Sequence, residues 1–514
     1  MPDIALDDRF ERLGEWTLPH FPEHRVAGKL TYSDRRVELE LNEALTPIEG
    51  DVSVVDEQPS YPVLHGRSTK GELLSILHAR RAGISLNFGA GGMRQPERVI
   101  SSWLMVGAHV DQSEQYTKVR FVVPGLAAWL ELTPVQHVMS TDAASGALVD
   151  SFIRQAIPAE ITNVPTLDAQ IEWGAGTTSK ANPYQSIAID VQGWLCIKPS
   201  TPKSIEWFFE QHGKLDSMLA FFAGTPMPPT SVSAYIRDYP IPISVLVALR
   251  TAKSCQIGRP DGFFFPRRAA TLSLEKIVSN WFANIDSVLV PSQLATSTLS
   301  SKDLWLHVHF ASLAQALEGY HRGRYPGIYM QAAEYEKVKS EISKAIPTTL
   351  PTDHKDALRS RIRYGNQISL SKRLSELANS LGIDLAKLVL GGQGKVPRTW
   401  VDTRNYHSHW DEELITNAIS GQEMYNANIR MEHFIRTLFL LLAGIRPDEI
   451  VLAMGGISST AQQLVQINII DRYRVDPSQP KGIYMTINPK GEELPEIDKP
   501  DDAVSNSIVP PANH

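Results

Sequence analysis

Apolar and polar residues alternate with a period of two through much of the first half of this chain, and with a period near 3.6 through most of the second. Val37-Glu38-Leu39-Glu40-Leu41 alternates strictly and follows Lys29-Leu30-Thr31-Tyr32 across Ser33-Asp34-Arg35-Arg36, which predicts a hairpin with one solvated face. Val99 to Val110, Tyr116 to Val123, Ser186 to Lys198 (turning near Gln192-Gly193) and Ser233 to Arg250 are rich in β-branched and aromatic residues and predict further strands. Residues 1–290 are therefore expected to form a β-rich, sandwich-like region. One helix interrupts it. Trp207, Phe208, Leu215, Leu219 and Phe222 recur near helical spacing from Ser204 onward, Gly224 and Pro226 stop the run, and the stripe is expected to pack on the sheet.

Pro291 to Ser300 shifts to small polar residues, so residues 291–301 read as a linker. Beyond it Phe310, Leu313, Ala314 and Leu317 stand at i, i+3, i+4 and i+7, the mark of a helix with one buried stripe. Gln331 to Ile346 and His354 to Arg363 predict two more helices, ended by Pro347 and by the Tyr364-Gly365 step. The longest helix is expected from about His409 to Ala443, with Gly421 as the place for a break and with Ala427, Met431, Phe434, Leu438 and Leu441 as a bundle seam. Residues 302–456 thus read as an all-α bundle, the fold class as multidomain α+β, and residues 457–514 as an extension, disordered after 488.

Composition narrows the function classes. A 514-residue chain has room for two or three domains, and a net charge of −7 excludes a polybasic coat for nucleic acid, so any such contact must be local. Cys196 and Cys255 cannot build a disulfide framework and read as buried free thiols. The acidic N-terminus shows no secretory signal, and the longest apolar stretches, Ile241 to Leu249 and Thr437 to Ile445, are shorter than the ~20 residues needed to cross a bilayer. A cytoplasmic protein without membrane contact is expected. The glycine-rich stretches Asn87 to Arg94 and Gly391 to Lys395 lack a Gly-Lys-Ser/Thr ending and read as turns. His307, His309 and His321 do not have metal-ligand spacing, and no cofactor or metal is expected. Phe263, Phe264 and Phe265 beside Arg267 and Arg268 read as strand aromatics with a solvated basic end.

Reactive side chains concentrate in Thr403-Arg404-Asn405-Tyr406-His407-Ser408-His409-Trp410. Arg404 offers a planar fork of donors suited to phosphate, and His409 an imidazole able to move protons near neutrality. Phosphate and proton chemistry together point to RNA cleavage. Five residues of regular helix would set Arg404 and His409 about 140° apart around the axis, so a break is expected between them. Ser408 would supply it as an N-cap followed by Asp411, Glu412 and Glu413, leaving His409 at a phosphate-attracting helix N-terminus. His407 is either a partner acid or a neighbour without a role, and Tyr406 and Trp410 read as packed in preference to stacked on a base. Lys355, Arg359, Arg361, Arg363, Lys372 and Arg373 outnumber the acids Asp353, Asp356 and Glu376 around them, which makes this stretch the candidate for holding an RNA backbone.

Arg404-Asn405-x3-His409 resembles the Arg-x4–6-His signature of HEPN-domain ribonucleases, many of which carry the Asn. Ser312 to Arg322 is similar to the opening helix of the HEPN domain in ApeA-type abortive-infection proteins, and Asn366 to Leu377 to that family's middle helix. The resemblance implies an anti-phage abortive-infection effector whose HEPN domain is a metal-independent endoribonuclease. In it, His409 would take the proton of a ribose 2′-hydroxyl, Arg404 would neutralise charge on the phosphoryl oxygens, and Asn405 would orient the phosphate or the loop. The products would be a 2′,3′-cyclic phosphate and a 5′-hydroxyl. It also implies a homodimer whose two motifs share one cleft, and a β-rich region that senses a phage-derived trigger. The alternative is a catalytically inactive HEPN domain that binds a nucleotide or a partner, joined to a β domain that binds a ligand.

Overall fold

The computed structural model describes residues 4–46, 60–84, 87–89, 92–94, 96–142, 144–182, 186–248, 257–301, 303–410, 412–455 and 462–468. Cys255, Arg250, Asp411 and the tail after 488, on which expectations were placed, lie outside these residues.

The expected hairpin forms. Strand β1 (Phe10–Leu18) pairs with β2 (Phe21–Ser33), which turns through Asp34 and Arg35 into β3 (Arg36–Leu41). Both turn residues have positive φ, 50° and 60°, the backbone twist that suits a two-residue hairpin. Val37, Leu39 and Leu41 are buried on alternate positions, as the pattern requires. Strands β4 (Ser60–Ser68), β5 (Leu73–Ile84), a short hairpin of β6 (Asn87–Gly89) and β7 (Gly92–Arg94), β8 (Glu97–Ser101) and β9 (Trp103–Val106) follow.

Six of these strands close on themselves. The order β4-β1-β2-β3-β8 is completed because β5 pairs with both β4 and β8, making a barrel where the sequence pattern suggested stacked sheets. The closure is fastened by a buried ion pair, with Arg81 of β5 donating from Nε to Glu97 Oε1 of β8 at 2.8 Å and Tyr61 donating to the same oxygen at 2.6 Å. Gly66 lets the buried ring of Trp16 lie on the backbone, since a Cβ there would meet a ring carbon at 2.3 Å. The single strand expected over Val99 to Val110 is split at Ser102: β8 stays in the barrel, whereas β9 leads out of it.

Beyond β9 the chain lays down β10 (Tyr116–Val122), the one-turn helix α1 (Leu126–Trp129), a separate hairpin of β11 (Val135–Thr141) and β12 (Leu148–Arg154), then β13 (Glu160–Val164), β14 (Ala169–Asn182) and β15 (Ser186–Pro199). Helix α2 (Ile205–Ala223) precedes β16 (Ser231–Ile236) and β17 (Ile243–Val247). The sheet leaves the barrel in the order β9-β17-β16-β10-β15-β14-β13. Ser204 caps α2 by accepting the Trp207 N–H, and Gly224 ends it at φ 76°, the stop that the sequence indicates. One face of α2 lies on the sheet, with Phe209 edge-on to Trp103 and Phe121 and with His212 stacked on Phe121. Cys196 is buried on β15, and burial pushes its thiol up to about 11. Phe263, Phe264 and Phe265 are fully buried but belong to no strand; the Phe264 and Phe265 N–H groups donate to carbonyls at the end of α2.

The rest is helical: α3 (Leu274–Asn284), α4 (Leu289–Ser300), α5 (Leu306–Arg324), α6 (Ala332–Lys344), α7 (Thr352–Arg363), α8 (Leu370–Ser380), α9 (Ile383–Leu390), α10 (Arg398–His409), α11 (Gly421–Leu442) and α12 (Pro447–Met454). The stretch expected as a linker is helix α4, with Ser292, Ala295 and Thr298 buried. Pro291 sits in its first turn, where the missing N–H costs nothing. The small polar residues satisfy themselves within the helix: the hydroxyls of Ser292, Thr296, Thr298 and Ser301 donate to carbonyls three or four residues back at 2.7, 3.0, 2.8 and 2.8 Å. Gly421 begins α11 at φ 52°, and three glycines at positive φ, Gly391, Gly392 and Gly394, separate α9 from α10. Among the described residues no helix is long and apolar enough to cross a membrane.

Candidate active site

Helix α10 is anchored by its first half, where Trp400, Val401, Asp402 and Thr403 are buried. Thr403 Oγ1 donates to the Thr399 carbonyl at 2.6 Å and accepts the Ile419 N–H at 2.9 Å, tying the chain after the helix back onto it. One residue further, Arg404 turns toward α5. Its Nη2 donates to Glu318 Oε2 at 3.0 Å and its Nη1 to Asn405 Oδ1 at 3.3 Å. The other carboxylate oxygen of Glu318 accepts from Arg322 Nη2 at 2.9 Å and Nε at 3.2 Å, so one buried acid joins two guanidiniums. Arg404 keeps 22% of its side chain exposed, which places the cation at the edge of the core.

The break expected between Arg404 and His409 is absent. Helix α10 runs unbroken from Arg398 to His409, Ser408 is an exposed helical residue, and the acids Glu412 and Glu413 lie in a separate short 3-10 turn. The stop comes two residues later than expected: Trp410 adopts the left-handed conformation at φ 54° and ψ 37°, and its N–H donates to Tyr406 O at 2.7 Å. His409 therefore sits at the carbonyl end of a helix, exposed, and not at an amide end that attracts phosphate. Within one copy the helical geometry separates Arg404 and His409 by about 140° around the axis.

His407 is half-buried and stacks on His307 of α5, with centroids 5.4 Å apart and planes at 22°. Burial first, and then the neighbouring His307, lower its pKa below the usual imidazole range. That favours the neutral ring over the imidazolium that a partner acid requires. Trp410, expected to be packed, is 70% exposed, and Tyr406 is half-buried.

The candidate backbone-binding cations divide. Arg359, Arg361 and Arg363 are exposed on α7, with Arg359 paired to Asp356 at 2.9 Å, and Lys372 is exposed with its ammonium 4.6 Å over the Tyr329 ring. Arg373 is not available to RNA. It is 2% exposed, with Nη1 3.1 Å from His321 Nδ1, while His321 Nε2 stands 2.7 Å from Glu376. On the amphipathic α8 this arginine falls beside Leu374 and Leu377 on the inward face, so it ties α8 to α5.

Sequence reasoning missed Glu318, His307 and Trp305. Glu318 had a signal: it stands four residues after Ala314, on the apolar stripe of α5, and an acid there must find a cation. His307 and Trp305 had none, because only the packing of α5 against α10 brings them to the motif. Among the described residues no three His, Cys, Asp or Glu side chains gather as a metal-ligand set.

Residues 11–281, more than half of the chain, match the ApeA N-terminal domain 1, and residues 311–449, which contain the whole Arg404 to His409 motif, match the ApeA-like HEPN domain. No curated protein and no solved structure matches the chain. A barrel-containing β region leading into a helical domain, both recognised in that order, means that the chain belongs to the ApeA-type HEPN defence proteins.

Proposed function

We propose that this protein is an anti-phage endoribonuclease of the cytoplasm, in which residues 302–456 cut RNA under the control of residues 1–290. The observation that carries this reading is the side-chain set on α10: Arg404 is held at the edge of the core by Glu318, Asn405 is beside it, and His409 is exposed five residues on. A guanidinium so held is a preorganised partner for phosphoryl oxygens, and an exposed imidazole is a proton acceptor for a ribose 2′-hydroxyl. The 2′-oxygen then attacks the adjacent phosphorus, the bond from phosphorus to the 5′-oxygen breaks, and the 5′-oxygen takes a proton from solvent while His409 later releases the one it took, so the products carry a 2′,3′-cyclic phosphate and a 5′-hydroxyl. The nucleophile belongs to the substrate, so the step needs no metal-bound water.

Because Arg404 and His409 diverge around one helix, a homodimer supplies the missing convergence. Across a two-fold axis, Arg404 of one copy faces the substrate beside His409 of the other. Arg359, Arg361, Arg363 and Lys372 guide the RNA backbone, and a phage-derived trigger acts on the β-rich region.

The test is RNA integrity and growth in cells expressing wild type, His409→Ala or Arg404→Ala, with and without phage, at matched levels of folded protein. Wild type is expected to yield fragments with cyclic-phosphate ends, and each variant to lose about 10²-fold or more of the cleavage rate. Equal cleavage in all three would overturn the reading. Loss of cleavage in every form, with nucleotide binding intact, would favour an inactive HEPN binding domain.

A further inference from the structure

We infer that Trp305 and Trp410 form a stacking platform for unpaired bases of single-stranded RNA, beside the phosphate handled by Arg404 and His409. The inference rests on the ribonuclease reading above and adds its substrate class.

Four rings run in a row across the ends of two helices. Trp305, the residue before α5, lies 6.4 Å from His307; His307 lies 5.4 Å from His407; and His407 lies 6.3 Å from Trp410, with Tyr406 a further 6.0 Å contact of Trp410. Both tryptophans at the ends of this row are open to solvent, Trp305 at 77% and Trp410 at 70%. Indoles left this exposed forgo the burial that normally stabilises them, and they supply a π face that any base can cover.

Trp410 is also held against its backbone preference. A residue with a Cβ is disfavoured at φ 54°, and glycine or asparagine is the usual choice at such a helix end. The conformation aims no side chain into the core, since the indole stays exposed. Its local effect is to end α10 directly after His409 and to set the ring there.

The row favours a base over a phosphate or an aliphatic partner. Burial, and then the neighbouring His307, bias His407 toward its neutral form, so at the centre of the row its ring offers a face and not a cation. Trp410 directly follows His409 in the chain, so one end of the row stands beside the imidazole proposed to act on the ribose. A duplex buries both faces of each base by stacking, so the platform selects unpaired RNA.

The experiment uses the full-length His409→Ala protein, which holds substrate without cutting it, and a fluorescent single-stranded RNA beside the same sequence as a duplex. Adding Trp305→Ala or Trp410→Ala is expected to weaken single-strand binding about ten-fold each, while Trp305→Phe and Trp410→Phe keep most of it. An abasic residue beside the cleavage site should weaken binding to the parent and add nothing in the Ala variants. If the Ala variants bind the single strand as tightly as the parent does, the platform is wrong and the ribonuclease reading stands. If they lose dimer in sedimentation yet bind RNA unchanged per chain, a second copy covers these rings and the inference is overturned. If the parent binds no RNA and wild type cuts none, both readings fall together.

Discussion

At the scale of single residues, the site depends on a carboxylate where none would be expected. Glu318 lies within the apolar stripe of α5, and burying it unpaired would cost several kcal/mol, but Arg322 and Arg404 both donate to it. The pair therefore orients Arg404 as much as it satisfies the acid. Glu318→Gln keeps the shape and one acceptor while removing the charge. Cleavage is expected to fall about ten-fold, equivalent to about 1.4 kcal/mol of transition-state stabilisation, with the circular dichroism spectrum unchanged. A rate equal to or above that of wild type would show that the contact restrains Arg404 instead of preparing it.

At the scale of elements, α2 and α11 decide how the β-rich region and the helical domain are joined. Phe221 of α2 stacks on Phe439 of α11 at 4.1 Å, Trp281 and Tyr320 close around the same ring, and Arg436 Nη2 donates to the carbonyl of Gly224 at the end of α2. Both regions share this core, so a disturbance of α2 reaches the helix that packs beneath α5. Phe439→Ala should destabilise the protein by about 3–5 kcal/mol in urea denaturation. The expected outcome is one cooperative transition that moves as a whole; two separate transitions, only one of them shifted, would show that the regions fold apart. Here the sequence was legible for α2, whose stripe and stop are both local, and illegible for α4. Small polar residues read as linker because composition does not reveal hydroxyls bonded back onto helical carbonyls.

At the scale of the whole molecule, the proposed function needs a second copy, because one unbroken α10 cannot aim Arg404 and His409 at the same phosphate. That makes a complementation prediction. Arg404→Ala and His409→Ala proteins, each inactive alone, should recover about a quarter of wild-type cleavage when co-refolded in equal amounts, since half the dimers are mixed and each holds one intact composite site. Recovery absent from a mixture shown to exchange subunits would place the whole site within a single copy. The unbroken helix also explains one misreading. Ser408 has the chemistry of an N-cap, but Trp410 in the left-handed conformation ends the helix, and no spacing rule announces a tryptophan there.

What the sequence determined by itself was what near neighbours decide: the alternation of β3, the stripe and stop of α2, the helical run beyond residue 306, and the Arg404, Asn405 and His409 set that carries the family resemblance. Periodicity and capping act over a few residues, so they survive being read one stretch at a time. Only the tertiary structure decided that β5 and β8 close a barrel, that Arg373 turns inward, that Glu318 holds Arg404 across 86 positions, and that Trp305 and Trp410 end one row of rings. Each of these joins groups far apart in the chain, and which distant groups meet is set by how whole faces pack, not by the local order of residues.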